Sequence, residues 1–102
     1  MIERTVLVKL KEPYAGEVER REVASHSQKA LARIPGVTGV TVAVAADEKT
    51  SGSWDLVITV RFAALEDVPT YGAHPVHRAY VDDYLRLRME ALKAWNFETV
   101  PR

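Results

Sequence analysis

Residues 54–62 read Trp-Asp-Leu-Val-Ile-Thr-Val-Arg-Phe and form the most regular stretch of the sequence. Apolar side chains occupy every second position of it. Because successive side chains of a strand point to opposite faces of a sheet, this alternation predicts a strand with one buried face. We expect that face to lie beneath helices. The buried set is Trp54, Leu56, Ile58, Val60 and Phe62, and the opposite set is Asp55, Val57, Thr59 and Arg61.

Two further strands are predicted upstream of this one. Residues 37–46 alternate three valines with Thr41, Ala43 and Ala45, and residues 4–11 place Val6, Val8 and Leu10 at alternate positions. Both segments are rich in β-branched residues, which favours strands. The polar run over residues 47–53 predicts a loop between the second and third strands.

Helical patterns occupy most of the remaining sequence. Residues 17–34 carry an apolar stripe at helical spacing and stop at Pro35-Gly36. A short helix is predicted over residues 65–73 and a longer one over residues 75–90, with Pro75 in its first turn. Residues 91–100 alternate as a fourth strand, although residues 91–94 equally suit an extension of the helix.

The predicted order is β-α-β-β-α-β, which is the ferredoxin-like α+β arrangement of a four-stranded antiparallel sheet with helices on one face. We expect residues 1–102 to form one domain. The second sheet face carries small and apolar residues beside Asp55 and Arg61, so we expect it to meet a second copy or to enclose a ligand. Asp55 is expected to pair there with Arg61 or Arg4. Trp54, Trp95, Phe97 and Phe62 are predicted to be mostly core.

The composition excludes several classes of protein. Lys plus Arg and Asp plus Glu both total 14, so there is no basic excess of the kind that nucleic-acid binding requires. There is no cysteine, which excludes disulfides and thiolate chemistry. No apolar run is long enough to span a membrane, and the first residues do not resemble a secretion signal. We therefore expect a cytoplasmic protein without nucleic-acid or membrane partners.

The sequence from Tyr71 to Tyr80, Tyr-Gly-Ala-His-Pro-Val-His-Arg-Ala-Tyr, resembles the Y-x-x-H-P-x-H-x-x-[FY] signature of the stress-responsive A/B barrel (Dabb) family. The strand ending at Lys11, the helix closing at Ile34-Pro35-Gly36 and the strand from Trp54 agree with that family's order. The resemblance implies a homodimer in which two sheets face each other to form a barrel. It also implies a cavity for a small apolar molecule, and most members of the family have no assigned reaction.

Within that resemblance, His77 matches the base of the polyketide cyclase members and Tyr71 matches its partner. A neutral imidazole can remove a proton next to a carbonyl without a cofactor, and a phenol can hydrogen-bond the enolate oxygen. His74 matches a more structural position, where a ring nitrogen would satisfy backbone groups at a helix start. The alternative is that the whole motif is architectural and fixes the loop before the second helix pair.

Other residues are candidate ligand contacts. The cyclases carry a histidine on the first strand where this chain has Arg4, which cannot act as a base at neutral pH but can bind a carboxylate. Tyr80 and Tyr84 lie one turn apart and would line a cavity or pack at the dimer seam. His74 and His77 with Asp82 or Asp83 lack a third metal ligand at suitable spacing, so we expect neither a metal nor a cofactor. A monooxygenase, heme-dependent or cofactor-free, is a further alternative that the wider superfamily implies.

Overall fold

The computed structural model describes residues 1–101 and contains one four-stranded sheet. Its strands are β1 (Ile2–Leu10), β2 (Val37–Val44), β3 (Leu56–Phe62) and β4 (Met89–Glu98). They lie in the order β2-β3-β1-β4, and every neighbouring pair is antiparallel. The ferredoxin-like fold predicted from the order of elements is therefore confirmed.

The helices lie between the strands as that topology requires. Helix α1 packs across β2 and β3, and the segments between β3 and β4 pack beside it. None of the helices within residues 1–101 is long and apolar enough to cross a membrane. The helices are α1 (Glu17–Ala32), α2 (Glu48–Ser51), α3 (Asp67–Ala73), α4 (Pro75–Ala79), a π-helical segment (Tyr80–Leu85) and α5 (Arg86–Arg88), and a 3₁₀ turn spans Glu12–Tyr14.

The core forms where the helices cover β1 and β3. Alternate residues of β3 from Leu56 to Phe62 are almost completely buried, as the period-two pattern predicts. Val8 and Leu10 of β1 lie beside them. Trp54 precedes the strand, which begins at Leu56, and it is half-buried rather than part of the buried core.

The structure corrects several predicted boundaries. Residues 47–53 are not only a loop, since α2 forms within them when the Asp47 carboxylate accepts a hydrogen bond from the Thr50 N–H at 2.8 Å. The predicted helix 75–90 consists of α4, the π-helical segment and α5, and it gives way to β4 at Met89. Residues 91–94 are therefore strand.

Helix α1 ends at Ala32, two residues before the predicted limit. Gly36 follows with a φ of +91°, a conformation that glycine adopts without steric cost. This turn reverses the chain into β2 and confirms that Pro35-Gly36 stops the helix.

The sheet face opposite the helices is uncovered. It carries Thr41 and Ala43 of β2 and Val57 and Thr59 of β3, as predicted. The expectation that Trp95 and Phe97 are core is wrong, since they are 48% and 56% exposed. Their strand register places them opposite Thr5 and Glu3, on the uncovered face. Trp95, Phe97, Leu7, Val57, Thr59, Thr5, Thr41 and Ala43 are called the open sheet face below.

Asp55 does not pair with Arg61 or Arg4, so that expectation is also wrong. It is 1% exposed and lies just before β3, where its carboxylate accepts a hydrogen bond from the Leu10 N–H at 2.7 Å. Lys9 and Arg20 contact the same carboxylate at 3.5 and 3.3 Å.

The arginines expected to pair with Asp55 have other partners. Arg61 pairs with Glu3 on the neighbouring strand at 3.1 Å. Arg4 lies on the helix side of the sheet, because it shares the parity of Ile2 and Val6 in β1.

Candidate functional site

His77 and Tyr71 are brought together by a break between two short helices. The backbone is extended at His74 (φ −65°, ψ 137°), which ends α3 and starts α4. The His74 Nδ1 accepts a hydrogen bond from the Val76 N–H at 3.1 Å, so this imidazole caps α4. Pro75 occupies the first turn, where its missing N–H costs nothing. The geometry places the His74 ring in a local structural contact.

The rings of Tyr71 and His77 lie 4.5 Å apart with an interplanar angle of 53°. Tyr71 is 3% exposed, and its ring meets the edge of Phe62 at 5.0 Å between centroids. This contact fixes the phenol against the buried face of β3. The imidazole of His77 is half-buried beside it.

A backbone contact sets the tautomer of His77. Its Nδ1 lies 3.0 Å from the Gly72 carbonyl oxygen. A carbonyl only accepts, so Nδ1 carries the proton and donates it, which leaves a lone pair on Nε2. Desolvation by burial lowers the pKa of His77, the bond to Gly72 opposes this, and the charge of Arg4 lowers it further. The imidazole is therefore neutral at pH 7.

Tyr71 is held in its protonated form. Burial raises the pKa of its phenol well above the usual value, nearby Tyr80 adds to this, and the charge of Arg4 acts in the opposite direction. A protonated phenol donates a hydrogen bond to a ligand oxygen. The pair therefore presents one acceptor, His77 Nε2, and one donor, the Tyr71 hydroxyl.

Arg4 is the third member of what we call the polar cluster, Arg4, Tyr71 and His77. Its guanidinium donates to the Asn96 Oδ1 at 2.9 Å, across the β1–β4 pairing that places Arg4 opposite Asn96. Arg4 lies one row from Phe62 on the helix side of the sheet, and Tyr71 packs on Phe62 with His77 beside it, so all three groups share one region. The sequence alone does not reveal Asn96, because its role depends on the strand register.

The helices do not fully cover β4, the edge strand beside this cluster. On the helix side of β4, Leu92 is 37% exposed, Ala94 is half-buried and Asn96 is exposed. We call this strip, Leu92, Ala94 and Asn96, the β4 trough. At its end a cleft of about 520 Å³ lies between β4 and residues 63–66. This strand-end cleft is lined by Met1, Ile2, Ala63, Ala64, Leu65, Glu66, Asn96, Phe97 and Glu98.

Tyr80 and Tyr84 lie in the π-helical segment and face α1. The Tyr80 hydroxyl shares a hydrogen bond with the buried Ser27 hydroxyl, and burial raises the pKa of Tyr80 to about 12. The Tyr84 ring is stacked between His26 at 3.7 Å and the guanidinium of Arg88 at 3.8 Å. Both faces of that ring are therefore covered, and Tyr84 is not joined to the polar cluster.

A second cleft, of about 640 Å³, lies at the start of α1. It is lined by Glu17, Arg20 and Arg21 on one side and by residues 44–48 and Ser51 on the other. Neither cleft is lined by His77 or Tyr71. Within residues 1–101, no three His, Asp or Glu side chains are grouped as metal ligands would be.

The fold and the His-Pro-x-His break define a ferredoxin-like α+β protein. The model of the stress responsive A/B barrel domain, Dabb, matches residues 2–94. The chain therefore belongs to the Dabb family. A search of curated proteins finds no match for this sequence.

Solved structures share this fold across nearly the whole chain. A Dabb family protein with a ferredoxin-like fold from Mesorhizobium loti is 23% identical, with a TM-score of 0.80 and coverage of 98% of this chain and 97% of that one. A dimeric protein of unknown function from Bacteroides fragilis is 22% identical, with a TM-score of 0.74 and coverage of 96% and 95%. A protein from Nitrosomonas europaea named as an antibiotic biosynthesis monooxygenase is 16% identical, with a TM-score of 0.74 and coverage of 99% and 100%.

The lowered pKa of His77 makes stability depend on pH. Below the ordinary value of 6.5 the unfolded chain binds a proton on this residue that the folded chain does not, so unfolding becomes easier as pH falls. Stability is expected to decrease from pH 7 to 5.5 by at most about 1.4 kcal/mol per pH unit from this residue. His77→Gln should remove that part of the decrease, measured by urea unfolding at both pH values. An unchanged pH dependence in the variant would show that the imidazole is not desolvated.

Proposed function

We propose that this protein is a homodimer that binds a small, mainly apolar molecule on the helix side of its sheet. The observation that carries the proposal is the position of the polar cluster beside the β4 trough. The trough offers exposed Leu92 and half-buried Ala94 as an apolar floor. The polar cluster supplies a few convergent hydrogen-bonding groups, which is the usual composition of a ligand site.

The dimer is supported by the open sheet face. Two large aromatic side chains, Trp95 and Phe97, stand exposed there beside Leu7 and Val57. Exposed aromatic side chains among small and apolar residues mark an interaction site, and the charged residues Glu3, Arg61 and Lys93 lie on the same face. A second copy offers a matching surface, since a two-fold dimer pairs one patch with itself. The Bacteroides fragilis protein, which is dimeric, supports the same assembly.

Ligand binding is tested by filling the trough. Octanamide is a suitable uncharged probe, and isothermal titration calorimetry measures its binding. Ala94→Phe places a bulky ring on the trough floor and is expected to weaken octanamide binding at least tenfold. Ala46→Phe obstructs the other cleft, at the start of α1, and is expected to leave binding unchanged. Absence of octanamide binding, or loss of it in Ala46→Phe alone, would contradict the proposed site.

A second candidate function, proton abstraction next to a carbonyl, is favoured by the tautomer of His77. With Nδ1 donating to Gly72, Nε2 is free to take an α-proton. The electron pair of the broken C–H bond becomes the enolate, and the Tyr71 hydroxyl hydrogen-bonds its oxygen. The resulting imidazolium returns a proton to carbon. This chemistry needs no cofactor. The name of the Nitrosomonas europaea relative makes oxygenation a further alternative.

This second candidate predicts solvent exchange at an enolisable ketone. In D₂O the protein is expected to accelerate exchange of the α-protons of 2-octanone, followed by proton NMR. His77→Gln should slow the exchange about 100-fold, which is typical for loss of a general base. His26→Gln, which changes a histidine outside the polar cluster, should not slow it. Exchange no faster than in buffer would leave His77 with a structural and ligand-binding role only.

A further inference from the structure

Within residues 1–101, Arg4 carries a charge without an acidic partner. Among the described residues, the ion pairs join Lys9 and Arg20 to Asp55, Arg61 to Glu3, and Arg78 and Arg86 to Asp82. The partner of Arg4 is the neutral Asn96 amide, which occupies one of its five N–H donors. The remaining donors are available to an anionic group.

The surroundings of Arg4 make this charge unusual. Three of its neighbours on the helix side of the sheet are apolar, namely Ile2 and Val6 along β1 and Val60 on β3, and the fourth is Asn96 on β4. The side chain is half-buried rather than free in solvent. A carboxylate that meets the guanidinium there forms charge-assisted hydrogen bonds, which are stronger than those of a neutral group.

We propose that the ligand of this protein is an apolar monocarboxylic acid whose carboxylate binds Arg4. The inference rests on the proposed ligand site and names the chemical class that it takes. The apolar body of the acid lies along the β4 trough and the carboxylate meets the guanidinium at the row formed by Arg4 and Asn96. Asn96 is a positioning residue, because its Oδ1 fixes the fork of Arg4 without removing its charge.

The negative charge of the strand-end cleft favours a ligand that carries a single negative charge. Glu66 and Glu98 line the cleft that borders Asn96. Glu98 lies two residues beyond Asn96 on the same face of β4. Two carboxylates at the opening disfavour phosphate and dicarboxylates through like-charge repulsion. A monocarboxylate carries one negative charge, which pairs with Arg4.

The experiment compares octanoate with octanamide, which have the same chain length and differ in charge. Calorimetry at pH 7 is expected to show octanoate binding at least tenfold more tightly. Arg4→Gln should abolish this preference, so that octanoate binds no more tightly than octanamide. Arg78→Gln, an exposed arginine paired with Asp82, is the matched control and should change neither affinity.

Asn96→Asp gives a test that conserves shape. The new carboxylate would pair with Arg4 and neutralise its charge within the chain, so octanoate binding should weaken at least tenfold relative to octanamide binding. Equal affinities for octanoate and octanamide in the unchanged protein would overturn the carboxylate inference and keep the proposed function. Tighter binding of inorganic phosphate than of octanoate would also overturn it. Failure of both octanoate and octanamide to bind would instead overturn the proposed function.

Discussion

Thr59→Arg is expected to convert the proposed dimer into a monomer. Thr59 lies in a central row of the open sheet face, opposite Thr41 on β2 and Thr5 on β1, with Trp95 next in the row on β4. An arginine there would place an unpaired charge in the middle of the interface. An uncompensated buried charge costs about 3–5 kcal/mol, which weakens association by roughly 150-fold to 5,000-fold.

Sedimentation velocity from 1 to 100 µM measures this change. Thr70→Arg is the matched control, because it makes the same substitution at an exposed position in α3. The control should remain dimeric at concentrations where Thr59→Arg is a monomer. A dimer that survives Thr59→Arg would place the interface elsewhere, and an unchanged protein that is monomeric throughout would remove the barrel assembly.

Asp55→Ala is expected to cause the largest loss of stability among single carboxylate substitutions. The Asp55 carboxylate accepts the Leu10 N–H and contacts Lys9 and Arg20, and it is 1% exposed. Its removal leaves a buried backbone donor and two cations without their partner. Breaking a buried ion pair in this way costs about 3–5 kcal/mol, so a decrease near 3 kcal/mol in the free energy of unfolding is expected.

Asp82→Ala is the control that shows whether burial or the number of ionic contacts determines the loss of stability. Asp82 also contacts two cations, Arg78 and Arg86, but on an exposed helical surface. Exposed pairs of this kind contribute about 0–1 kcal/mol. Urea unfolding should therefore show a loss several times larger for Asp55→Ala. Equal losses in the two variants would mean that the carboxylate of Asp55 is solvated in the folded protein.

The sheet was predictable because its signal is local. Alternation along residues 54–62 depends only on which face each side chain takes, and the structure buries Leu56, Ile58, Val60 and Phe62 as expected. The same rule does not tell whether a face is covered. Trp95 and Phe97 alternate correctly in β4 but lie on the face that the chain itself leaves open.

Predictions failed for elements that are short or irregular, and for contacts between residues that are far apart in the sequence. Helix α2 is four residues long, which is too short to show periodicity. The π-helical segment places more residues in each turn than an α-helix, so an apolar stripe read at α-helical spacing drifts across it. Asp55 was assigned the wrong partners because its contacts join the strand ends to α1 rather than following the alternation.

The candidate site was also predictable only in part from the sequence. Tyr71, His74 and His77 lie within seven residues, so one motif indicated all three. The approach of Arg4 to that motif depends on how β1 and the helix layer pack. Asn96 has no motif at all, and it becomes visible only when the register of β4 places it opposite Arg4.

The central claim is that a ligand binds at the polar cluster. The most direct test is to follow the imidazole ring of His77 while ligand is added. Two-dimensional ¹H–¹⁵N NMR of the side-chain imidazoles reports all three histidines during a titration with octanamide. We expect the Nε2 signal of His77 to shift saturably, while His26, stacked on Tyr84, stays unchanged. Saturable binding that shifts His26 and leaves His77 unmoved, or no shift at any histidine, would contradict the proposed site.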